Sequence, residues 1–455
     1  MSEPVARPPS HLFYQSRQRR PLLDRGEGVY LYDVEGNAYL DGSSGAMVSN
    51  IGHSNPRVIE AMRRQIEKAT FGYRLHFENE PAEMLAAETA KRMPGDLDRI
   101  FFVSGGSEAV ESCLKLARQY AIAVGQAQRW KVISRFPSYH GSTLGALSVT
   151  GMASMTAPFA PMMREMPKIP APTCYLDPDR DETSLEERGL RYAEALREQI
   201  RREGADTVLA FIVEPIGGAS TGALVPPPGY LKRIREICDE FGVLLIYDEV
   251  MTGAGRTGKF LGADHWPEAA PDIIAMSKGF AAGYAPLGAM AAPKRLVEPV
   301  LDKGGFIHGY TYAGNPMACA AGLAVLGEID RLDLVGAAER QGATLKARLQ
   351  ALQQRYPFII DVRGEGLLLA FELGRDRESM APLPKEMNGF VELVEEAYKR
   401  KLILYSRRTR GGVDGEHFLV CPPLIVTDEQ IDEIIEKLSG ALDAFADRHD
   451  LPRAA

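Results

Sequence analysis

Apolar runs of strand length alternate with amphipathic helical segments through the middle of the chain. The predicted strands are Ile100–Val103, Lys131–Ser134, Val208–Val213, Val243–Tyr247, Ile273–Met276 and Leu287–Ala291. The predicted helices between them are Glu108–Ile122, Leu190–Glu203 and Gly229–Phe241. This alternation predicts an α/β fold in which a mostly parallel sheet is covered by helices on both faces. Active sites in such sheets lie at the carboxyl ends of the strands.

The chain on either side of this region has a different pattern. Val29–Tyr32 and Ala38–Leu40 predict a hairpin that turns at residues 35–37. The C-terminal part alternates short strands with long helices and is predicted to be α+β; its strands are Phe358–Arg363, Leu367–Leu373 and His417–Val420. Residues 152–172 are rich in methionine and proline and are predicted to form an irregular excursion over the surface.

Composition and charge exclude several function classes. The chain has 455 residues, of which 45% are apolar and 25% charged, and its net charge is −8. Without a basic stripe, nucleic acid and acidic membranes are unfavourable partners, and the apolar runs are too short to span a bilayer. The five cysteines are scattered and predict neither a disulfide framework nor a metal site. Because no secretory signal is visible at residues 1–10, we expect a cytoplasmic protein.

A lysine follows one of the buried strands directly. Strand Ile273–Met276 ends at Ser277, and Lys278 and Gly279 come next. A lysine at the edge of a core either extends its amine to water or has its pKa lowered by desolvation, which frees the amine to form a Schiff base. This segment alone does not decide between the two interpretations.

Three further groups follow other strands at the same predicted edge. Asp248 follows Val243–Tyr247, and a carboxylate at the end of a buried strand needs a cationic partner. Gly106 and Ser107 stand where a Gly-rich turn meets a helix, so free N–H groups could bind an anion there, although this turn taken alone favours an N-cap role for Ser107. Tyr139 follows Lys131–Ser134 and adds an aromatic ring.

An anion site, an aromatic ring, a carboxylate and a lysine are the groups that pyridoxal 5'-phosphate requires. The phosphate takes the helix N-terminus, and the pyridine ring stacks on the aromatic side chain. The carboxylate keeps the ring nitrogen protonated, and the lysine holds the aldehyde as an imine. Their order along the chain, with the aspartate thirty residues before the lysine, is more specific than any one of them.

The sequence resembles the class III pyridoxal-phosphate aminotransferases, the ω-aminotransferase family of fold type I, over essentially its whole length. The matching stretches are FFVSGGSEAVESCLKLAR, SYHGST, VEPIGGASTG, LIYDEVMTGAGRTGKF, AMSKGFAAGYAPLGAM, HGYTYAGNPMACAA and CPPLIVTDEQI. The resemblance implies a large cofactor-binding domain at residues 61–328. It also implies a smaller α+β domain made from residues 1–60 and 329–455.

The resemblance assigns roles to individual residues. Lys278 would be the Schiff-base lysine and Asp248 the partner of the pyridinium nitrogen. The other expected cofactor contacts are Gly106, Ser107, Tyr139, His140, Glu214, Val250 and Thr311, with Thr311 reaching the phosphate of the neighbouring subunit of a homodimer. A turn or core position is the alternative for His140.

The implied reaction is ping-pong transfer of an amino group from an ω-amine or amino acid to a 2-oxo acid. Members that use 2-oxoglutarate carry an arginine shortly before the Pro-Pro-Leu motif, whereas residues 418–422 here contain none. The chain therefore resembles the branch that uses pyruvate and a mobile arginine. The candidates for that arginine are Arg407, Arg408 and Arg410, and we select Arg410. Met47 and Tyr73 are the expected pocket residues, with Met47 where the branch commonly has an aromatic residue.

Several alternatives stay open from the sequence. An aminomutase, a racemase or a dialkylglycine decarboxylase of the same fold would share every motif above. Two alternatives do not involve pyridoxal phosphate. One is a protein that binds a nucleotide phosphate with Ser104–Ser107, and the other is a binding or scaffold protein without activity. Arg256 could be an arginine that ties a loop down, and His308 a turn or core histidine.

Overall fold

The computed structural model describes residues 10–454. Within these residues, the strands are β1 (Leu23–Glu27), β2 (Tyr30–Asp33), β3 (Ala38–Asp41), β4 (Arg99–Val103), β5 (Lys131–Phe136), β6 (Lys168–Pro170), β7 (Val208–Val213), β8 (Leu244–Asp248), β9 (Ile273–Met276), β10 (Gly288–Ala292), β11 (Ile359–Glu365), β12 (Leu368–Leu373), β13 (Leu402–Ile403), β14 (Tyr405–Arg410) and β15 (Asp414–Val420). The α-helices are α1 (Ser44–Met47), α2 (Pro56–Lys68), α3 (Glu80–Ala90), α4 (Gly106–Ala123), α5 (Leu144–Ser148), α6 (Ala153–Thr156), α7 (Leu185–Glu203), α8 (Tyr230–Phe241), α9 (Lys294–Asp302), α10 (Pro316–Arg331), α11 (Leu334–Arg355), α12 (Gly389–Lys399) and α13 (Asp428–His449). Short 3-10 segments include Lys278–Phe280.

The predicted sheet is present, and its strands begin and end within two residues of the predicted positions. In the described chain it has seven strands in the order β4-β10-β9-β8-β7-β5-β6. The strands from β9 to β6 pair in parallel, whereas β10 is antiparallel to both β4 and β9. The sequence did not predict β6, which lies inside the segment expected to be irregular, at residues 152–172.

Helices cover both faces of this sheet, as its continuous apolar strands require. All residues of β7 are buried, and their side chains are divided between two apolar clusters. Phe211 packs in the cluster that includes α7 and α8, while Ile212 packs in the cluster that includes α4 and α9. The fold is therefore the predicted α/β architecture, with strand ends free at the carboxyl edge to carry functional groups.

Two smaller sheets lie outside the central sheet, and one of them joins the N-terminal and C-terminal parts of the chain. Within residues 10–454, one contains β1-β2-β3-β13 and the other β11-β12-β15-β14. β13 pairs in parallel with β3, so the N-terminal hairpin continues into the C-terminal part, as predicted for the α+β domain. The domain boundaries at residues 60 and 328 stay a prediction. Residues 1–9 of the first segment lie outside the described residues, and position 328 lies within α10.

No helix among residues 10–454 is both long enough and apolar enough to cross a membrane.

Arg256 ties the N-terminal segment to the C-terminal part. Its guanidinium is fully buried and donates to the carbonyls of Pro422 (2.6 Å) and Leu367 (3.2 Å). It also donates to Ser44 Oγ (3.0 Å) and Asn50 Oδ1 (2.7 Å). Burial lowers the pKa of Arg256 to about 10, so its charge is retained at neutral pH. This is the structural role that the sequence suggested as one reading.

We expect Arg256→Met to lower the thermal unfolding midpoint by several degrees, because buried carbonyl and amide acceptors would lose their donor. Differential scanning calorimetry measures this. Arg63→Ala, on the exposed surface of α2, is the control and should leave the midpoint unchanged. Equal midpoints for Arg256→Met and the parent protein would contradict this role.

Candidate active site

A cavity of about 270 Å³ lies at the carboxyl edge of the parallel strands. Its lining combines charged groups at the strand ends with an apolar wall and comprises Ala46, Met47, Gly106, Ser107, Tyr139, His140, Gly141, Met152, Met155, Glu214, Ile216, Ala219, Ser220, Asp248, Val250, Met251, Lys278, Tyr405 and Arg407. The position agrees with the expectation from the topology of the sheet.

Lys278 enters this cavity from a strained turn. After β9 the chain passes through Ser277, whose Oγ donates to the Leu287 carbonyl (2.8 Å), and Lys278 then takes a left-handed conformation with φ +48°. A non-glycine residue in this conformation is unfavourable by itself and is held by its surroundings. Burial lowers the pKa of the Lys278 amine, and the nearby Asp248 and Glu214 carboxylates partly oppose this. The free amine is therefore more available than in an ordinary lysine.

Asp248 is fixed at the end of β8 by two donors. His140 Nδ1 lies 2.7 Å from Asp248 Oδ2, and the Val250 N–H donates to Oδ1 (3.1 Å). His140 is itself held, because its backbone N–H donates to Thr150 Oγ1 (2.9 Å). Both side chains are buried, so the aspartate is oriented and has lost most of its contact with water. In the described residues His140 Nε2 has no hydrogen-bond partner.

The N-terminus of α4 forms the anion site. Gly105 is the N-cap residue, so Ser107 lies in the first turn of the helix and is not the cap. Its Oγ instead accepts from the Ser142 N–H (3.0 Å). A Cβ on Gly106 would come within 2.8 Å of Val250 Cγ1, so the backbone passes directly over the valine side chain. Helix N–H groups without a capping side chain suit a phosphate.

Glu214 and Tyr139 complete the polar part of the cavity. Glu214 Oε1 accepts from the Gly218 N–H (2.9 Å), while Oε2 lies 3.9 Å from Arg135 Nη2. Burial raises the pKa of this carboxyl group. Tyr139 OH is hydrogen-bonded to Ser142 Oγ (3.0 Å), which links the aromatic ring to the anion site.

Comparison with known proteins decides the family. The profile of the family described as aminotransferase class-III matches residues 14–442. The chain belongs to the class III aminotransferases. It is 39% identical over 429 residues to the uncharacterized aminotransferase YodT of Bacillus subtilis, an alignment that covers 93% of this chain and 95% of that one.

Two further relatives carry functional descriptions. The putrescine–pyruvate aminotransferase of Pseudomonas aeruginosa is 33% identical over 93% of this chain and 91% of its own. The crystal structure of the ω-transaminase of Pseudomonas jessenii in complex with PMP superimposes with a TM-score of 0.89 at 31% identity, covering 96% of this chain and 97% of that one. These likenesses establish the fold type I architecture and the use of pyridoxal phosphate.

The residues that line the cavity of this aminotransferase also fit pyridoxal phosphate, independently of the comparisons. An uncapped helix N-terminus faces the space in which a phosphate is needed, and a buried carboxylate and a lysine of lowered pKa lie in the same lining. The sequence-predicted residues brought together here are Gly106, Ser107, Tyr139, His140, Glu214, Asp248, Val250, Lys278 and Met47.

Three predicted residues lie elsewhere in the aminotransferase. Thr311 is exposed, and Tyr73 packs edge-on against the ring of His76 (5.4 Å) outside the cavity lining. Arg410 donates to the Met380 carbonyl (2.6 Å) and does not line the cavity, whereas Arg407 does. His308 also lies outside the lining, with Nε2 2.9 Å from Ser112 Oγ.

The sequence reasoning missed most of the apolar wall. Tyr405 supports Arg407, because its OH accepts from Arg407 Nη2 (2.7 Å). The other missed lining residues include Met152, Met155, Ile216, Ala219, Ser220 and Met251. The VEPIGGASTG motif was the available signal for Ile216, Ala219 and Ser220.

Lys278 should be the residue that pyridoxal phosphate modifies. After reduction of the loaded protein with sodium borohydride, mass spectrometry should find the label on the peptide that contains Lys278. Because burial lowers its pKa, the label should form well below pH 10.5, the ordinary value. Lys278→Ala should lose it.

Lys168→Ala is the matched control. Burial lowers the pKa of Lys168 too, but its amine donates to the carbonyls of Ser148 and Met166 outside the cavity lining. This variant should keep the label. A label that persists in Lys278→Ala would refute the assignment.

Proposed function

We propose that this aminotransferase moves an amino group from a primary amine or amino acid to pyruvate in two half-reactions at one cavity. The observation that carries the proposal is the convergence of Lys278, Asp248 and Arg407 on the same space. Lysine and aspartate serve the cofactor, and arginine binds the carboxylate of the acceptor. We also propose a cytoplasmic location, which the five free and buried cysteines support.

When bound, pyridoxal phosphate supplies an aldehyde that receives the amino group and a ring that accepts electrons. Lys278 Nζ would remove the proton from the substrate Cα as the general base and would then deliver it, as the general acid, to a different carbon, because its return to Cα would leave the amino group on the substrate. Its lowered pKa favours this role, because the unprotonated amine exists at a pH where an ordinary lysine is charged. The left-handed turn at Lys278 sets the direction from which the amine approaches.

Asp248 would keep the ring nitrogen protonated. The donors from His140 and Val250 fix the carboxylate, so it does not need to reorganise during the reaction. Gly106, Ser107 and the start of α4 would hold the phosphate, with Tyr139 and Val250 beside the ring.

Arg407 is our choice for the carboxylate clamp, in place of Arg410. Its side chain is exposed and donates to Tyr405 OH from Nε (3.0 Å) and Nη2 (2.7 Å), so it can turn towards a carboxylate at small cost. The Arg407 fork matches a carboxylate in bidentate fashion. The absence of an arginine at residues 418–422 and the likeness to a putrescine–pyruvate aminotransferase support pyruvate as acceptor.

We further propose a homodimer in which Thr311 serves the partner's cavity. The segments that carry Tyr73 and Thr311 also expose large apolar side chains, and they lie together, since the rings of Phe71 and Tyr312 are 6.0 Å apart. The exposed side chains are Phe71, Leu75, Phe77, Ile307 and Tyr312. A surface of this kind is typical of a protein interface.

The two half-reactions should be separable in the visible spectrum. An amine donor added without an oxo acid should bleach the absorption of the loaded cofactor, and pyruvate should restore it. We expect pyruvate to restore it faster than 2-oxoglutarate at equal concentration. If 2-oxoglutarate restored the absorption and pyruvate did not, the proposed acceptor would be wrong.

Arg407→Ala should raise the KM for pyruvate by about tenfold or more, because a charge-assisted bidentate contact is lost. Steady-state kinetics with a donor that has no carboxylate isolates this effect. Arg410→Ala is the matched control and should leave that KM unchanged. The reverse pattern would return the role to Arg410.

A further inference from the structure

One wall of the cavity is a loop without regular secondary structure. We define the wall loop as residues 214–224, which follow β7. Ile216, Ala219 and Ser220 line the cavity from this loop. Its own hydrogen bonds are few and local, such as those from the Gly217 N–H to the Leu224 carbonyl (2.8 Å) and from the Thr221 N–H to the Gly218 carbonyl (3.3 Å). Such a loop needs outside support to keep a fixed shape.

Arg363, from β11, supplies that support from behind. Nε donates to the Gly222 carbonyl (2.7 Å) and Nη2 to the Thr221 carbonyl (2.9 Å). The guanidinium thus binds the carbonyls of two consecutive residues that come directly after the cavity-lining Ser220. Arg363 is buried, so water does not compete for these carbonyls.

The rest of the guanidinium is fixed by other groups. Nη1 donates to Asp361 (2.7 Å), and Nη2 lies 2.8 Å from the buried Glu372. Tyr175 places its ring 4.6 Å from the guanidinium carbon and donates its OH to Glu372 (2.8 Å). Because each guanidinium nitrogen has a hydrogen-bond partner and Tyr175 packs against the group, Arg363 acts as a rigid support.

The backbone conformation of Gly222 and its lack of a side chain permit this contact. It has φ +62°, and a Cβ at this position would come within 2.6 Å of His417 Cγ and 2.9 Å of Arg363 Nη2. His417 lies on β15, in the same sheet as Arg363. That sheet also contains β14, which brings Tyr405 and Arg407 to the cavity. The wall loop and the proposed carboxylate clamp are therefore attached to one sheet.

We infer that Arg363 is a positioning residue for the amino substrate: it fixes Ala219 and Ser220 as the cavity wall by holding the two carbonyls behind them. This inference rests on the proposed function. A lysine cannot replace the arginine, because a single ammonium cannot address two carbonyls with the geometry of the fork.

The first test compares Arg363→Lys with Arg129→Lys. Arg129 also donates to two backbone carbonyls, those of Val208 (2.7 Å) and Phe241 (3.0 Å), but neither carbonyl belongs to the wall loop. We expect Arg363→Lys to raise the KM for the amine by about tenfold, with a smaller change in kcat. The dissociation constant of pyridoxal phosphate, measured by titration of the apoenzyme, should stay unchanged. Arg129→Lys should leave both constants unchanged.

A second pair of variants approaches the same contact from the loop. Gly222→Ala would push the wall loop away from His417 and Arg363 and should raise the KM for the amine as Arg363→Lys does. Gly204→Ala is the control, since Gly204 also has positive φ (+86°) but an added Cβ there would meet nothing closer than 3.4 Å. This pair keeps the inference testable if Arg363→Lys fails to fold.

Hydrogen–deuterium exchange gives a readout that does not depend on catalysis. Peptides covering residues 214–224 should exchange faster in Arg363→Lys and Gly222→Ala, and at the parent rate in the two controls. Unchanged exchange and an unchanged KM for the amine, with only a lower unfolding midpoint, would overturn the inference. Faster exchange in a protein that transaminates no amine would instead locate the failure in the proposed function.

Discussion

Burial of ionisable groups at one edge of the sheet is the constraint on which the structure depends. Lys278, Asp248 and Glu214 have each been removed from most of their water, and this burial lowers the pKa of Lys278 and raises the pKa of Glu214. Specific neighbours partly offset this cost: His140 and the Val250 N–H bind Asp248, the Gly218 N–H binds Glu214, and the two carboxylates lie near Lys278. The parallel sheet makes this possible, since it brings strand ends that are distant in sequence to a single edge.

The central sheet and the charged floor of the cavity could be predicted from sequence because both follow local rules. Buried parallel strands are continuous apolar runs, and Lys278 and Asp248 come directly after two of them. β6 was missed because it is a short edge strand within a segment rich in methionine and proline. Ser107 as a helix cap was a sound local expectation, but the helix begins two residues earlier, at Gly106, with Gly105 as its cap.

The choice among the C-terminal arginines could not be made from sequence, because it depends on a strand that the pattern does not show. β14 reads YSRRTR and has no apolar alternation. Once it is a strand, its side chains alternate between faces, so Tyr405 and Arg407 share one face while Arg408 and Arg410 take the other. Arg408 lies 5.0 Å from the Phe390 ring, and Arg410 binds the Met380 carbonyl. The apolar cavity wall was missed for a similar reason, since its members are brought together by tertiary folding.

The cavity is lined by both Met47 and Arg407, which lie far apart in the sequence. During synthesis on the ribosome, the lysine and aspartate emerge long before the C-terminal sheet that closes the pocket around them. Full capture of the cofactor therefore has to wait until the segment that carries Tyr405 and Arg407 has been made. Once captured, the cofactor stabilises both ends of the chain together, because it binds the folded state and not the unfolded one. Loss of the cofactor should therefore lower the amount of this protein in the cell as well as its catalytic turnover.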